Sequence, residues 1–113
     1  MSIVDIQHKA ITKKDFLQIR KRTELICQSL KAEDVSCQPA DFVSPPKWHL
    51  AHTTWFFEQF VLVPFKDNYN LYNKDYAYFF NSYYNNVGSR VLRYERGLMT
   101  RPSLAEVLEY RSH

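Results

Sequence analysis

No surface helix could carry the stretch from Pro45 to Leu62. Read as a helix, it places Trp48, His52, Trp55, Phe56 and Gln59 on one face, with Leu50, Phe57 and Val61 opposite. A helix that is apolar nearly all round must be covered on several sides, so it belongs inside a helical assembly. Ser44 is expected to cap it, and Pro45 takes the first helical position, where the missing N–H costs nothing. Pro64 sets the expected end.

The flanking segments supply elements to cover it. Thr12 followed by Asp15 resembles a capping box, with Asp in the place of Glu. From there Phe16, Ile19, Thr23, Ile26 and Leu30 step by three and four, which predicts a first helix over Lys13 to Lys31 with that apolar face inward. Ala32 to Val43 is polar, holds Pro39 and reads as a connection; Phe65 to Lys74, rich in Asn and Asp, reads as a loop. Tyr76, Phe79, Phe80, Tyr83, Tyr84 and Val87 repeat at helical spacing, and Gly88 suits a left-handed position after a helix end. A third helix is expected there, although the β-propensity of these residues leaves a strand open. Ser89 to Arg101 is a basic connection. Ser103 with Glu106 forms a second capping box before Leu104, Val107 and Leu108. That last helix has about three turns before His113 and no closing Gly, Asn or Pro, so the sequence is expected to stop inside an element. The fold class expected is all-α: an incomplete up-and-down bundle, one domain over residues 1–113.

Composition excludes several classes. Aromatic residues make up 16% of the 113 residues, against two glycines, so disorder is excluded and buried Tyr and Trp polar groups need partners. The net charge of +3 is mild, and its basic residues are interrupted by Asp15, Glu24 and Glu95, which argues against nucleic acid as a partner. No apolar run approaches the roughly 18 residues of a membrane span, and Met1 to Lys14 lacks the apolar core of a signal peptide. Cys27 and Cys37 have no metal-type spacing and read as structural thiols in a cytoplasmic protein.

Of four histidines, His8, His49, His52 and His113, the pair His49 and His52 lies three apart on the buried helix. His52 shares the face of Trp48 and Trp55, where desolvation disfavours the charged ring and keeps a lone pair free for a metal. A pair so spaced is more often one core and one surface residue, and that reading stays open. Glu58, six residues after His52, points to another side. No HExxH, phosphate-binding loop, dinucleotide turn or nucleophile elbow is present. Ser44 and Ser103 are better explained as caps than as nucleophiles. Arg90 and Arg93, with Arg96 and Arg101 following, could hold a small carboxylate through forked guanidinium groups, or simply line a solvated loop.

The segment SPPKWHLAHTTWFFE, Ser44 to Glu58, resembles the DinB-like N-terminal domain of the iron(II)-dependent sulfoxide synthases of ergothioneine biosynthesis. The similarity extends through Arg22-Thr23-Glu24-Leu25, Glu33-Asp34, Gln38-Pro39, Phe80-Asn81-Ser82-Tyr83-Tyr84, Val87-Gly88, Arg96-Gly97-Leu98, Arg101-Pro102 and Tyr110-Arg111. The resemblance implies a DinB-like four-helix bundle. It implies that His52, within Leu50-Ala51-His52, is one of three histidine ligands to Fe(II), the other two lying on an HxxxHxE stretch. It implies that Arg90 and Arg93 bind the carboxylate of a thiol substrate, cysteine or γ-glutamylcysteine, whose sulfur is joined to trimethylhistidine with O₂. The sequence has no HxxxHxE and none of the family's C-terminal domain, and His113 stands in the wrong context for a missing ligand. No catalytic residue is therefore assigned, and the chain by itself is expected to be inactive. Two other readings remain: a DinB-like metal-dependent thiol transferase, and a non-enzymatic helical remnant whose exposed apolar faces make a homodimer.

Overall fold

The computed structural model describes residues 10–82, 84 and 87–113, and these are helical with no strand among them. In chain order the elements are α1 (Lys13–Cys27), α2 (Ala32–Val35), α3 (Pro46–Phe57), a π-helical stretch (Glu58–Leu62) that runs into α4 (Val63–Phe65), α5 (Tyr76–Phe80), a 3₁₀ helix (Arg93–Leu98) and α6 (Leu104–Ser112). The all-α expectation holds.

The helix from Pro46 is the central element, as its two-faced apolar wheel requires. Trp48, Leu50, Ala51 and Trp55 of α3 form one buried cluster with Tyr76 and Phe80 of α5 and Val107 and Tyr110 of α6. The tyrosines find the partners that burial demands. Glu58, 3% exposed, accepts from the Tyr110 hydroxyl at 2.8 Å, the Tyr69 hydroxyl at 2.5 Å and the Tyr72 backbone N–H at 3.2 Å. Its carboxylate thus joins the end of α3 to α6 and to the 66–75 loop, on a side away from His52.

A second polar seam joins α1 to the core. The Arg111 guanidinium donates to the carbonyls of Leu50 (2.8 Å) and Arg20 (2.9 Å) and to the Thr53 hydroxyl (3.1 Å), while its Nε meets Glu24 at 3.3 Å. Arg20 returns the exchange, donating to Thr54 Oγ1 at 2.6 Å and to the Arg111 carbonyl at 3.4 Å. This seam explains a departure from expectation. The face built on Ile19 and Ile26 is not inward; those residues are 66% and 69% exposed. Arg20, Glu24 and Cys27 turn toward the core instead, beside Thr23 of the expected face, with Phe16 edge-on to Phe57 at 5.1 Å. Two reciprocal arginines, each satisfying a carbonyl on the other's helix, fix the rotation of α1 against its apolar moment.

Several boundaries shift for local reasons. The Thr12–Asp15 capping box is present, but α1 stops at Cys27, and part of the expected connection forms the short α2, where Asp34 accepts from the Lys31 N–H at 2.9 Å. Ser44 does not cap α3: Pro45 is the N-cap and Pro46 opens the helix, because the Ser44 hydroxyl accepts from Arg96 at 2.8 Å. The helical path continues past Pro64 to Phe65, through the π-helical turns. Ser103 accepts from the Glu106 N–H at 3.2 Å, as a cap should, while its hydroxyl donates to the Glu106 carboxylate.

The largest correction concerns the third helix. It ends at Phe80, not Val87, because Asn81 turns extended (φ −67°, ψ 133°) and its fully buried amide bonds the Tyr84 carbonyl and N–H, both at 3.1 Å. An Asn side chain that satisfies backbone groups competes with the helix ladder, and here it wins. Tyr83 of the expected stripe, and Asn85 and Asn86 off it, lie outside the described residues, as does His8. Gly88 does hold a positive φ of 132°, but well beyond the helix end.

Two measurements check this account. Glu58→Ala leaves two tyrosine hydroxyls without their acceptor and should cost roughly 2–4 kcal/mol in urea unfolding, with Glu58→Gln costing less. Tyr76 is 4% exposed, and burial, then the nearby Tyr72, Glu106 and Glu109, push its hydroxyl up to about 12. A folded-state value above the ordinary 10 means that the native state retains a proton the unfolded state loses. Stability is therefore lost as pH rises from 10 to 12. Relative to Tyr76→Phe, the parent chain should weaken by about 1.4 kcal/mol per pH unit across that window, read by chemical unfolding at each pH.

Candidate functional site

A column of flat groups stands on one side of α3. His52 stacks on Trp48, with centroids 4.5 Å apart and planes 10° from parallel, and on Trp55 at 5.8 Å and 25°. On the Trp48 ring lies the Arg96 guanidinium, 3.6 Å from the centroid. Spacings of four and three residues put Trp48, His52 and Trp55 on one face of α3, and the 3₁₀ helix brings Arg96 in from the far side of the chain. Both Trp48 and Arg96 are 4% exposed, so this cation–π contact is desolvated and worth about 2 kcal/mol.

The edges of the two central rings are fixed by the end of α5. Trp48 Nε1–H donates to the Phe79 carbonyl at 3.0 Å, and His52 Nδ1 lies 2.6 Å from the Phe80 carbonyl. The last carbonyls of a helix have no partner within it, and these two are satisfied by ring N–H groups from α3. A carbonyl can only accept, so His52 carries its proton on Nδ1 and leaves the Nε2 lone pair unprotonated. Burial lowers the His52 pKa, the Phe80 contact opposes this, and the Arg96 charge lowers it further. A neutral imidazole with Nδ1 tied to a carbonyl and Nε2 open has the form that metal-ligating histidines take. His52 therefore fits the role of a single metal ligand. Among the described residues no group of three His, Cys, Asp or Glu is placed to complete a shell. His49 is exposed, its ring edge-on to Trp48 at 5.3 Å.

Arg90 is half-buried and Arg93 exposed, Arg93 opening the 3₁₀ helix one turn before Arg96. Burial, followed by the charges of Arg93 and Arg90, lowers the Arg96 pKa to about 10. The three arginines thus share one field, and Arg96 is the member whose charge also reaches His52. Sequence reasoning left Arg96 among the residues of a basic connection. Only the recurrence of arginine every third residue pointed further, since i and i+3 eclipse in a 3₁₀ helix.

That helix is placed by a remote residue. Gln38 Nε2 donates to the Arg93 carbonyl and its Oε1 accepts from the Gly97 N–H, both at 2.6 Å. A Cβ on Gly97 would stand 2.7 Å from the Gln38 Cβ, so only glycine allows the approach. Lys47 anchors the following segment, its buried ammonium donating to the Met99 and Thr100 carbonyls at 3.2 and 3.4 Å.

A cavity of about 890 Å³ opens elsewhere, between α1, α3 and α6, and is lined by Phe16, Arg20, Phe57, Glu58 and Arg111 but not by His52, Arg90 or Arg93. No described helix is long and apolar enough to cross a membrane. No curated protein matches the sequence. The DinB superfamily does, over residues 15–113, a span that takes in most of α1, the ring column, the arginine-bearing 3₁₀ helix and α6. The chain belongs to the DinB superfamily.

Proposed function

We propose that His52 is one ligand of an iron(II) centre of the ergothioneine sulfoxide synthase type, and that Arg90 and Arg93 hold the carboxylate of its thiol substrate. The observation that supports this best is the His52 Nδ1 contact with the Phe80 carbonyl, which leaves Nε2 as the ring's donor. The superfamily match is compatible with this reading and equally with a metal-dependent thiol transferase. The finer assignment rests on the Ser44–Glu58 segment and its resemblance.

Iron(II) with imidazole ligands supplies vacant positions for a thiolate and O₂. The protein's own groups do the rest. Trp48 and Trp55 hold the His52 plane and exclude water from its faces. The Phe80 carbonyl keeps the proton on Nδ1. Arg90 and Arg93 bring positive charge to the region, with forked donors suited to a carboxylate. The two further histidines of the resemblance are on an HxxxHxE stretch that these 113 residues do not contain, so the chain is proposed to bind metal weakly and not to turn over.

Anaerobic titration with Fe(II), or with Co(II) as a spectroscopic substitute, should show weak binding that His52→Ala removes and His49→Ala leaves. Equal binding by His52→Ala and the parent chain would remove the metal assignment. Titration with γ-glutamylcysteine, followed by NMR, should weaken roughly tenfold or more in Arg90→Ala and Arg93→Ala, the loss of a charged hydrogen bond. Binding of the thiol but not of trimethylhistidine would favour the transferase. The non-enzymatic reading requires a dimer, with the exposed apolar residues of α1 as its surface; a monomer by light scattering removes it.

A further inference from the structure

Arg96 is buried at a cost that its contacts do not explain as packing. The side chain is 4% exposed, yet among the described residues no carboxylate pairs with it, and its buried Nε has no hydrogen-bond partner. Its placed contacts are the face of Trp48, at 3.6 Å, and the Ser44 hydroxyl, at 2.8 Å. A buried cation without an ion pair leaves its desolvation cost uncompensated, so packing alone would favour an apolar side chain of similar volume. A methionine could cover the Trp48 ring. It could not hold that ring at a set height and tilt, because only a planar fork anchored at its far end presses on the indole as a plate.

The position of that plate governs His52. Trp48 is clamped on one face by Arg96 and on its edge by the Phe79 carbonyl, and its other face carries the imidazole, 10° from parallel. We infer that Arg96 is a positioning residue: anchored through Ser44, it fixes the plane of Trp48 and thereby the orientation in which His52 presents Nε2. The inference deepens the proposed function and rests on His52 as the ligand. The coupling is short in the chain, since Ser44 stands directly before the Pro45 N-cap of α3, the helix that carries Trp48 and His52. Arg96 reaches that helix from a separate element, which lets it brace Trp48 from outside.

The test reads the ring directly and needs no metal. In ¹⁵N-labelled, metal-free protein, long-range ¹H–¹⁵N correlation at His52 should show one neutral tautomer, with the proton on Nδ1. Arg96→Lys keeps the charge and loses the plate; Ser44→Ala keeps both the guanidinium and the indole and loses the anchor. Both are expected to move His52 toward a mixture of tautomers and to speed exchange of the Trp48 indole proton, more in Arg96→Lys. Co(II) affinity should fall about tenfold in Arg96→Lys, as for other groups that orient a ligating histidine from behind. Unchanged His52 and Trp48 signals in both variants, with only the melting temperature lowered, would make Arg96 a packing residue and overturn the inference. The tautomer shift without any cobalt binding by the parent chain would uphold the positioning role while removing the metal assignment.

Discussion

The two carbonyls that end α5 hold the site together. A helix must satisfy its last carbonyls somewhere, and those of Phe79 and Phe80 are met by ring N–H groups. The donors come from rings on α3. Their exchange satisfies the end of α5 where Asn81 stops it, ties α5 to α3, and selects the protonated nitrogen of His52. An indole or imidazole N–H can reach a helix end only from a helix packed close beside it.

The polar groups of the core are shared out by the same logic. Glu58 takes three donors from the 66–75 loop and α6, and Arg111 gives its N–H groups to α1 and α3. Neither group belongs to the ring column, yet both fix the helices that carry it. The 890 Å³ cavity lies along this structural seam, while the ring column stands across α3. Volume and chemistry are separated in this fold, so the size of a cavity is a poor guide to where the reactive groups are.

What the sequence disclosed follows from the range of the interactions involved. The central helix, the inward His52 and the first capping box were legible because each depends on residues three or four apart. The turn of α1 was not, because Arg20 and Arg111 lie 91 residues apart and exchange backbone partners that no periodicity encodes. The early end of α5 was hidden as well: six aromatic and aliphatic residues kept helical spacing to Val87, and one buried asparagine amide overrode them. Ser44 read as a cap because Ser before Pro commonly is one, whereas a distant arginine had claimed its hydroxyl. Arg96 was visible only as a charge. Its burial is a tertiary fact, set by Gln38 gripping the turn at Gly97.

The length of α5 acts as a ruler. Each residue added to a helix carries its terminal carbonyl about 1.5 Å along the axis and 100° around it. Were Asn81 to continue the helix, the N–H groups four residues on would come round to compete with both rings for the Phe79 and Phe80 carbonyls. By stopping α5 where it does, Asn81 leaves the Phe80 carbonyl to a histidine 29 positions earlier in the sequence. A change of side chain there would reach the imidazole by way of a backbone carbonyl.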